Sequence, residues 1–280
     1  GRPSAYDRWA STWLGYHAVH EVLSTTPEAE GRVIGTGSNR IHRLPLVKAV
    51  ADTKSVPGLI TEGRYNEAMR MRGRSFVEMD AIFTELSEPA RTTSDTAGDA
   101  DRKRVAIMHA GGPAPGMNTA ARAAVRLAIS RGHTVVGIHN GFIGLATGDM
   151  SELAWSDVEG WAGEGGAGLG TRREIPSTRD LYAVSRVEDH HIDALLVIGG
   201  YSAYEGIYTM MTERDRYPAF RIPTVCIPAS IDNNLPGSEL SIGTDTALNV
   251  IVEAMDKIKE SGIASRRCFV VETMGRDCGY

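Results

Sequence analysis

Beyond residue 103, short apolar runs of strand character alternate with helical stretches, and this alternation constrains the fold more than any other feature of the chain. Strands are expected at 105–109, 134–138, 194–198, 224–227 and 269–272, and helices at 117–131, about 204–213 and 246–260. Strand, helix and strand in repetition call for right-handed crossovers. The fold class is therefore α/β, with a doubly wound, mostly parallel sheet covered on both faces. Ligands of such sheets bind outside the carboxyl ends of the strands.

Four of the five expected strands run into unusual loops there: AGGPAPG at 110–116, GGYS at 199–202, ASIDNN at 229–234 and TMGR at 273–276. Glycines let backbone N–H groups approach a ligand closely, and the helix after Gly116 would turn its N-terminus toward the same space, which favours an anion such as phosphate. Taken singly, each loop is equally a tight βα turn. Neither a P-loop nor a dinucleotide fingerprint is present, which argues against a Rossmann oxidoreductase.

Residues 1–87 follow a different pattern. Two helical stretches carry Trp9, Trp13, Tyr16 and Leu14, Ala18, Val22 at helical spacing. A strand near 32–35, a turn at 37–38, a second strand near 41–44 and helices through 78–86 follow. From 88 to 102 the sequence is rich in Ser, Thr, Asp, Ala and Gly without apolar periodicity and reads as a linker.

Composition narrows the function classes. The 280 residues carry a net charge of −5 without a basic stripe interleaved with aromatics, so nucleic acid is not an expected partner, whereas a few convergent arginines can still hold a small anion. No apolar run reaches the ~18 residues of a membrane span, and the start lacks a signal layout, so a cytoplasmic protein is expected. Cys226, Cys268 and Cys278 are too few and scattered for a disulfide framework or a zinc site. His109 and the pair His190-His191 lack partners at metal spacing and read as satisfied structural histidines.

In order, the blocks GGPAPGMN, LGTRR, IGGYSAYEG, PASIDNNLPGSELSIGTDTAL and VVETMGR resemble those of the phosphofructokinase family, which run approximately GGDAPGMN, LGTSR, IGGDGS, PKTIDND with GTDTA, and VVEVMGR. The resemblance covers most of 103–280. Residues 1–87 are similar to the closing part of a half in the same family, through RPSAYDR, GSNRIHRLPL and EAMRMRGRSF. A closing part (1–87), a linker (88–102) and an opening part (103–280) fit the eukaryotic tandem arrangement, so the chain, which starts with Gly, is expected to be an internal segment truncated at both ends.

The resemblance implies phosphoryl transfer from MgATP to fructose 6-phosphate in the parent enzyme, with ATP and Mg²⁺ as its cofactors. Three acidic positions depart from the family pattern: Pro113, Tyr201 and Asn234 stand where Asp is expected. None supplies a carboxylate, and Tyr201 is expected to crowd the nucleotide phosphates. Asp232 matches the family base but is expected to be retired; the other reading is a turn-stabilising Asp.

By resemblance, a retired active site would bind the activator fructose 2,6-bisphosphate through Arg173, Ser230, Ile231, Asp232, Asn233, Asn234, Arg267, Met274, Gly275 and Arg276. Arg122 and Arg126, four apart on one helix face, match a second site for small allosteric effectors between subunits; a solvated face or an interface salt bridge is the alternative. The family also implies a homo- or hetero-oligomer, tetramer or larger. The competing reading is a stand-alone, non-catalytic sugar-phosphate-binding or scaffold protein of the same fold.

Overall fold

The computed structural model describes residues 3–24, 26, 30–37, 40–87, 102–177, 180–185, 190–276 and 278, and divides into two units meeting at Ser87. Apart from Arg102, the expected linker lies outside the described residues, as does Ser38 of the expected turn.

In the first unit, α1 (Ala5–Ser24) is followed by a hairpin of β1 (Arg32–Gly37) and β2 (Arg40–Pro45), then by α2 (Leu46–Thr61), α3 (Tyr65–Arg72) and α4 (Arg74–Ser87). The two helices expected before the hairpin are one. Ser4 caps it by accepting the Asp7 N–H at 3.1 Å, and its aromatic residues stack in series, Trp9 on Trp13 at 5.2 Å, without a break between the two apolar stripes. Glu21 ties the helix to the hairpin: it accepts from Arg43 at 2.6 Å and from Arg32, and these two cations hold its carboxyl below the usual range.

In the second unit, β3 (Arg104–Ala110), β4 (Thr134–Ile138), β6 (Ala194–Gly199) and β7 (Thr224–Pro228) are parallel, and β5 (Met150–Glu152) joins antiparallel to β4. The order is β5-β4-β3-β6-β7, with the chain reversing direction of travel across the sheet between β3 and its two neighbours β4 and β6. Period-2 alternation along β3 feeds two cores. Ala106, Met108 and Ala110 pack with α6 (Phe142–Thr147), α7 (Leu181–Ser185) and α8 (Tyr201–Thr212), while Ile107 packs with Met117, Ala121 and Val125 of α5 (Met117–Ser130) on the other face. α9 (Thr244–Ser265) closes the described elements.

Two expectations are corrected. Residues 269–272 do not form a strand: they pair with no neighbour among the described residues, and Val270 is 99% exposed. A β-branched run has strand character only when a ladder satisfies its backbone, and β7 remains an outer strand of the sheet among the described residues. His109, read as a satisfied histidine, is fully buried with neither ring nitrogen in hydrogen-bond geometry to a described group; burial pushes its pKa down to about 4, opposed by the Met117 backbone.

Candidate functional site

The loops at the carboxyl ends of β3, β6 and β7 fasten to one another through their backbones. The loop after β3 is stitched to the segment 169–173: Gly111 N–H donates to the Arg172 carbonyl at 2.7 Å, and Thr171 Oγ1 donates back to the Gly111 carbonyl at 2.7 Å. This reciprocal pair sets Arg173 over the glycine loop, where a Cβ added to Gly112 would stand 3.3 Å from Nη2 of Arg173. Farther along, Gly116 and Gly243 both have positive φ, and a side chain on either would run into Ile242 or Ala114 at under 3 Å. The glycine loop and the start of α9 therefore interlock.

β6 ends at Gly199, where a Cβ would meet the Ala110 carbonyl oxygen at 1.9 Å. The β3 and β6 loops can leave the sheet side by side only because this position lacks a side chain. Gly200 in turn faces Ser230, 3.6 Å from the Ser230 Cβ by the same measure.

The loop after β7 is built around Asn233, which adopts positive φ, as Asn tolerates. Its Oδ1 accepts from Ser241 N–H at 2.9 Å and from the hydroxyls of Ser241 and Thr244, and its Nδ2 donates to the Glu239 carbonyl at 2.9 Å. Asn233 is thus engaged in folding its own loop. Thr244 also donates to the Ser230 carbonyl at 3.0 Å, and Ser230 Oγ accepts the Asp232 N–H at 3.1 Å, which leaves Asp232 and Asn234 facing the segment 274–276. Asp232 Oδ1 accepts the Arg276 N–H at 3.0 Å, and Asn234 Nδ2 donates to the Arg276 carbonyl at 3.2 Å.

Hydrogen bonds thus join Ser230 to Asp232, and Asp232 and Asn234 to Arg276, which follows Gly275; Ile231 is half-buried, Met274 is exposed, and Arg173 lies over the glycine loop after β3. Among the described residues no carboxylate pairs with the guanidinium of Arg173 or of Arg276, and both are exposed. Arg267 is placed elsewhere. It follows the end of α9, where its N–H caps the Gly262 carbonyl at 3.1 Å, whereas Asp232 adjoins the start of the same helix. With 22 residues at about 1.5 Å each, that helix is roughly 33 Å long.

Tyr201 is 65% exposed and lines a groove of about 580 Å³ with Tyr204, Glu205, Tyr208, Met211 and Cys226 along α8 and β7. It supplies no carboxylate at this position. Across 110–116, 199–202, 229–234 and 273–276, Asp232 is the one carboxylate, and it is bonded to a backbone amide. Among the described residues no cluster of three His, Cys, Asp or Glu could hold a metal.

On α5, Arg126 is buried at 6% exposure, with its guanidinium carbon 4.6 Å from the Trp155 ring centre. Desolvation and then the charge of Arg122 lower its pKa, and Glu159 opposes them. Arg122 is half-buried and its Nε has no hydrogen-bond partner among the described residues.

Sequence reasoning missed two anchors. Asn118 is buried and bridges α5 to 164–168, donating to the Glu164 and Gly165 carbonyls and accepting from Gly168 N–H. Thr171 holds the glycine loop from the side. Both lie inside quoted motif blocks, where a polar residue adjoining glycines was the available signal.

A parallel sheet whose carboxyl-end loops present glycines, a helix N-terminus and unpaired arginines defines an α/β protein with a rim suited to phosphate groups. The particular family follows from comparison. The phosphofructokinase family model matches residues 104–280. The whole chain aligns at 43% identity with the liver-type ATP-dependent 6-phosphofructokinase of Rattus norvegicus and at 41% with the platelet type of Homo sapiens, covering 35% and 36% of those proteins. The Pichia pastoris phosphofructokinase crystal structure in the T-state superposes with a TM-score of 0.87 at 36% identity, over 95% of this chain and 30% of that one. The Saccharomyces cerevisiae structure gives 0.87 at 37%, over 95% and 36%. The chain belongs to the phosphofructokinase family and spans about a third of the length of the curated relatives it matches.

Proposed function

We propose that the chain is part of an ATP-dependent 6-phosphofructokinase, with 1–87 closing its first half, 88–102 linking, and 103–280 opening a second, regulatory half whose rim binds fructose 2,6-bisphosphate. The observation that carries this reading is the pairing of two uncompensated guanidiniums, Arg173 and Arg276, with a rim reduced to one carboxylate. Arginine forks suit the phosphates of a sugar bisphosphate, each charge-assisted hydrogen bond being worth about 1.5–3 kcal/mol. A rim that keeps one carboxylate, already engaged with a backbone amide, is poorly equipped for MgATP, whose turnover this reading assigns to the other half. Asp232 here orients a backbone rather than a proton.

The site within one copy comprises Arg173, Ser230, Ile231, Asp232, Asn234, Met274, Gly275 and Arg276, with Asn233 as its internal brace. Arg267, which follows the end of α9, is left out. Arg122 and Arg126 form a second anion site, consistent with two close guanidiniums and a buried Nε without a partner on Arg122. A cytoplasmic oligomer, tetramer or larger, completes the reading. Among the described residues no helix is long and apolar enough to cross a membrane.

The test is calorimetric titration of the parent protein with fructose 2,6-bisphosphate, for wild type, Arg173→Ala and Arg276→Ala. The expected result is a loss of affinity of about tenfold or more in each variant, the size of one charged hydrogen bond. Equal affinity in all three proteins overturns the assignment.

A further inference from the structure

Residues 268–276 have no strand ladder, and among the described residues the hydrogen bonds that join them to the rim are those with Asp232 and Asn234. These two bonds engage one residue from both sides. Arg276 gives its N–H to the Asp232 carboxylate, and its C=O receives the Asn234 amide. Gly275, with φ of 143°, supplies the backbone geometry just before it.

The chemistry of this clasp depends on the residue type at 234. An amide carries two N–H donors, whereas an ionised carboxylate carries none and would set its lone pairs against those of the Arg276 carbonyl. With Asp at 234, as in the TIDND pattern, the contact at 3.2 Å would turn from attraction to repulsion. An acid at 232 and an amide at 234 form a complementary acceptor and donor for one backbone unit. Two acids do not.

We propose that Asn234 is a positioning residue: its amide, acting with Asp232, fixes Arg276 at the rim, so that the amide at this position helps build the anion site. This deepens the sugar-bisphosphate reading and rests on it for the identity of the ligand, though not for the existence of the clasp. Asn234 acts on the ligand through the placement of Arg276, and a rim that had merely lost a carboxylate would not need an amide there.

The test combines amide hydrogen exchange of the segment containing Arg276 with fructose 2,6-bisphosphate affinity, in the full-length protein, for wild type, Asn234→Asp and Asn234→Ala, with thermal midpoints checked to show that each is folded. Without ligand, exchange at Arg276 should rise about tenfold in both variants, because losing one of two bonds to the same residue frees the other. Affinity should fall in both, and further in Asn234→Asp, whose charge also repels the phosphates. Wild-type exchange and affinity in Asn234→Ala, with only Asn234→Asp impaired, would mean that charge alone operates at 234 and would overturn the proposal. If wild type does not bind the bisphosphate while exchange rises in both variants, the clasp stands and the assigned ligand falls.

Discussion

The guanidinium of Arg173 rests over Gly112, so close that a Cβ added to this glycine would stand 3.3 Å from Nη2. Close approach of this kind makes the glycine part of the site rather than only part of a turn. Gly112 has no positive φ, so its backbone accepts alanine, and the atom displaced is the end of a flexible side chain. Gly112→Ala should therefore fold with a thermal midpoint close to that of wild type while its affinity for fructose 2,6-bisphosphate falls several-fold, as read by calorimetry. A large drop in stability would show that the loop, and not Arg173, yields.

Gly199→Ala should behave in the opposite way. Its Cβ would meet the Ala110 carbonyl oxygen at 1.9 Å, backbone against backbone, at the point where β3 and β6 part. Overpacking typically costs about 1–3 kcal/mol, and here no side chain can move aside. Denaturant titration should show a loss at or above the upper end of that range.

His109 predicts a pH dependence with a definite sign. Its folded pKa is about 4 against an ordinary value of 6.5, because burial disfavours the charged ring. Among the described residues no charged side chain offsets this, and His139, which follows the neighbouring strand, is bonded to Ser151. The unfolded chain takes up the proton first, so the stability associated with the neutral ring is complete above pH 6.5 and is lost as pH falls through about 4. His109→Leu should remove this component: between pH 7 and pH 5 its unfolding free energy should decline less than that of wild type, by about 2 kcal/mol. Parallel profiles would contradict the assignment.

The stacking of Arg126 against Trp155 leaves Arg122 the better placed of the pair to meet an incoming anion. Their mutual repulsion is relieved by either an anion or the loss of one charge. Inorganic phosphate should raise the thermal midpoint of wild type more than that of Arg122→Gln, with the difference shrinking as sodium chloride screens the pair. An equal response in the two proteins would remove the second anion site from the account.

The sheet was legible because strands buried on both faces read as continuous apolar runs; 134–138 agrees in both ends, and the other three parallel strands lie within two residues of their expected bounds. The three-residue β5 and the 3-10 helix Trp155–Ala162 were invisible because neither is long enough to show a period. The run at 269–272 misled because composition reports the capacity to pair and not the presence of a partner. Within the site, motif blocks pointed to Arg173, Asp232 and Arg276 and also to Arg267, which follows the 22-residue α9 whose start adjoins the loop of Asp232. The roles of Asn233 and Asn234 could not be read either: as one family substitution and its neighbour they look alike, yet one braces its own loop and the other holds a different segment.

The central claim is that this half receives a regulatory sugar bisphosphate and does not perform phosphoryl transfer. It is tested most directly by recording fructose-6-phosphate-dependent ATP turnover of the parent enzyme while titrating fructose 2,6-bisphosphate, for wild type and Arg173→Ala. The account predicts that the activator concentration giving half-maximal stimulation rises at least tenfold in the variant. A fall in turnover measured without activator, in proportion to the loss of stimulation and with the protein still folded, would contradict it by placing Arg173 in the chemistry itself.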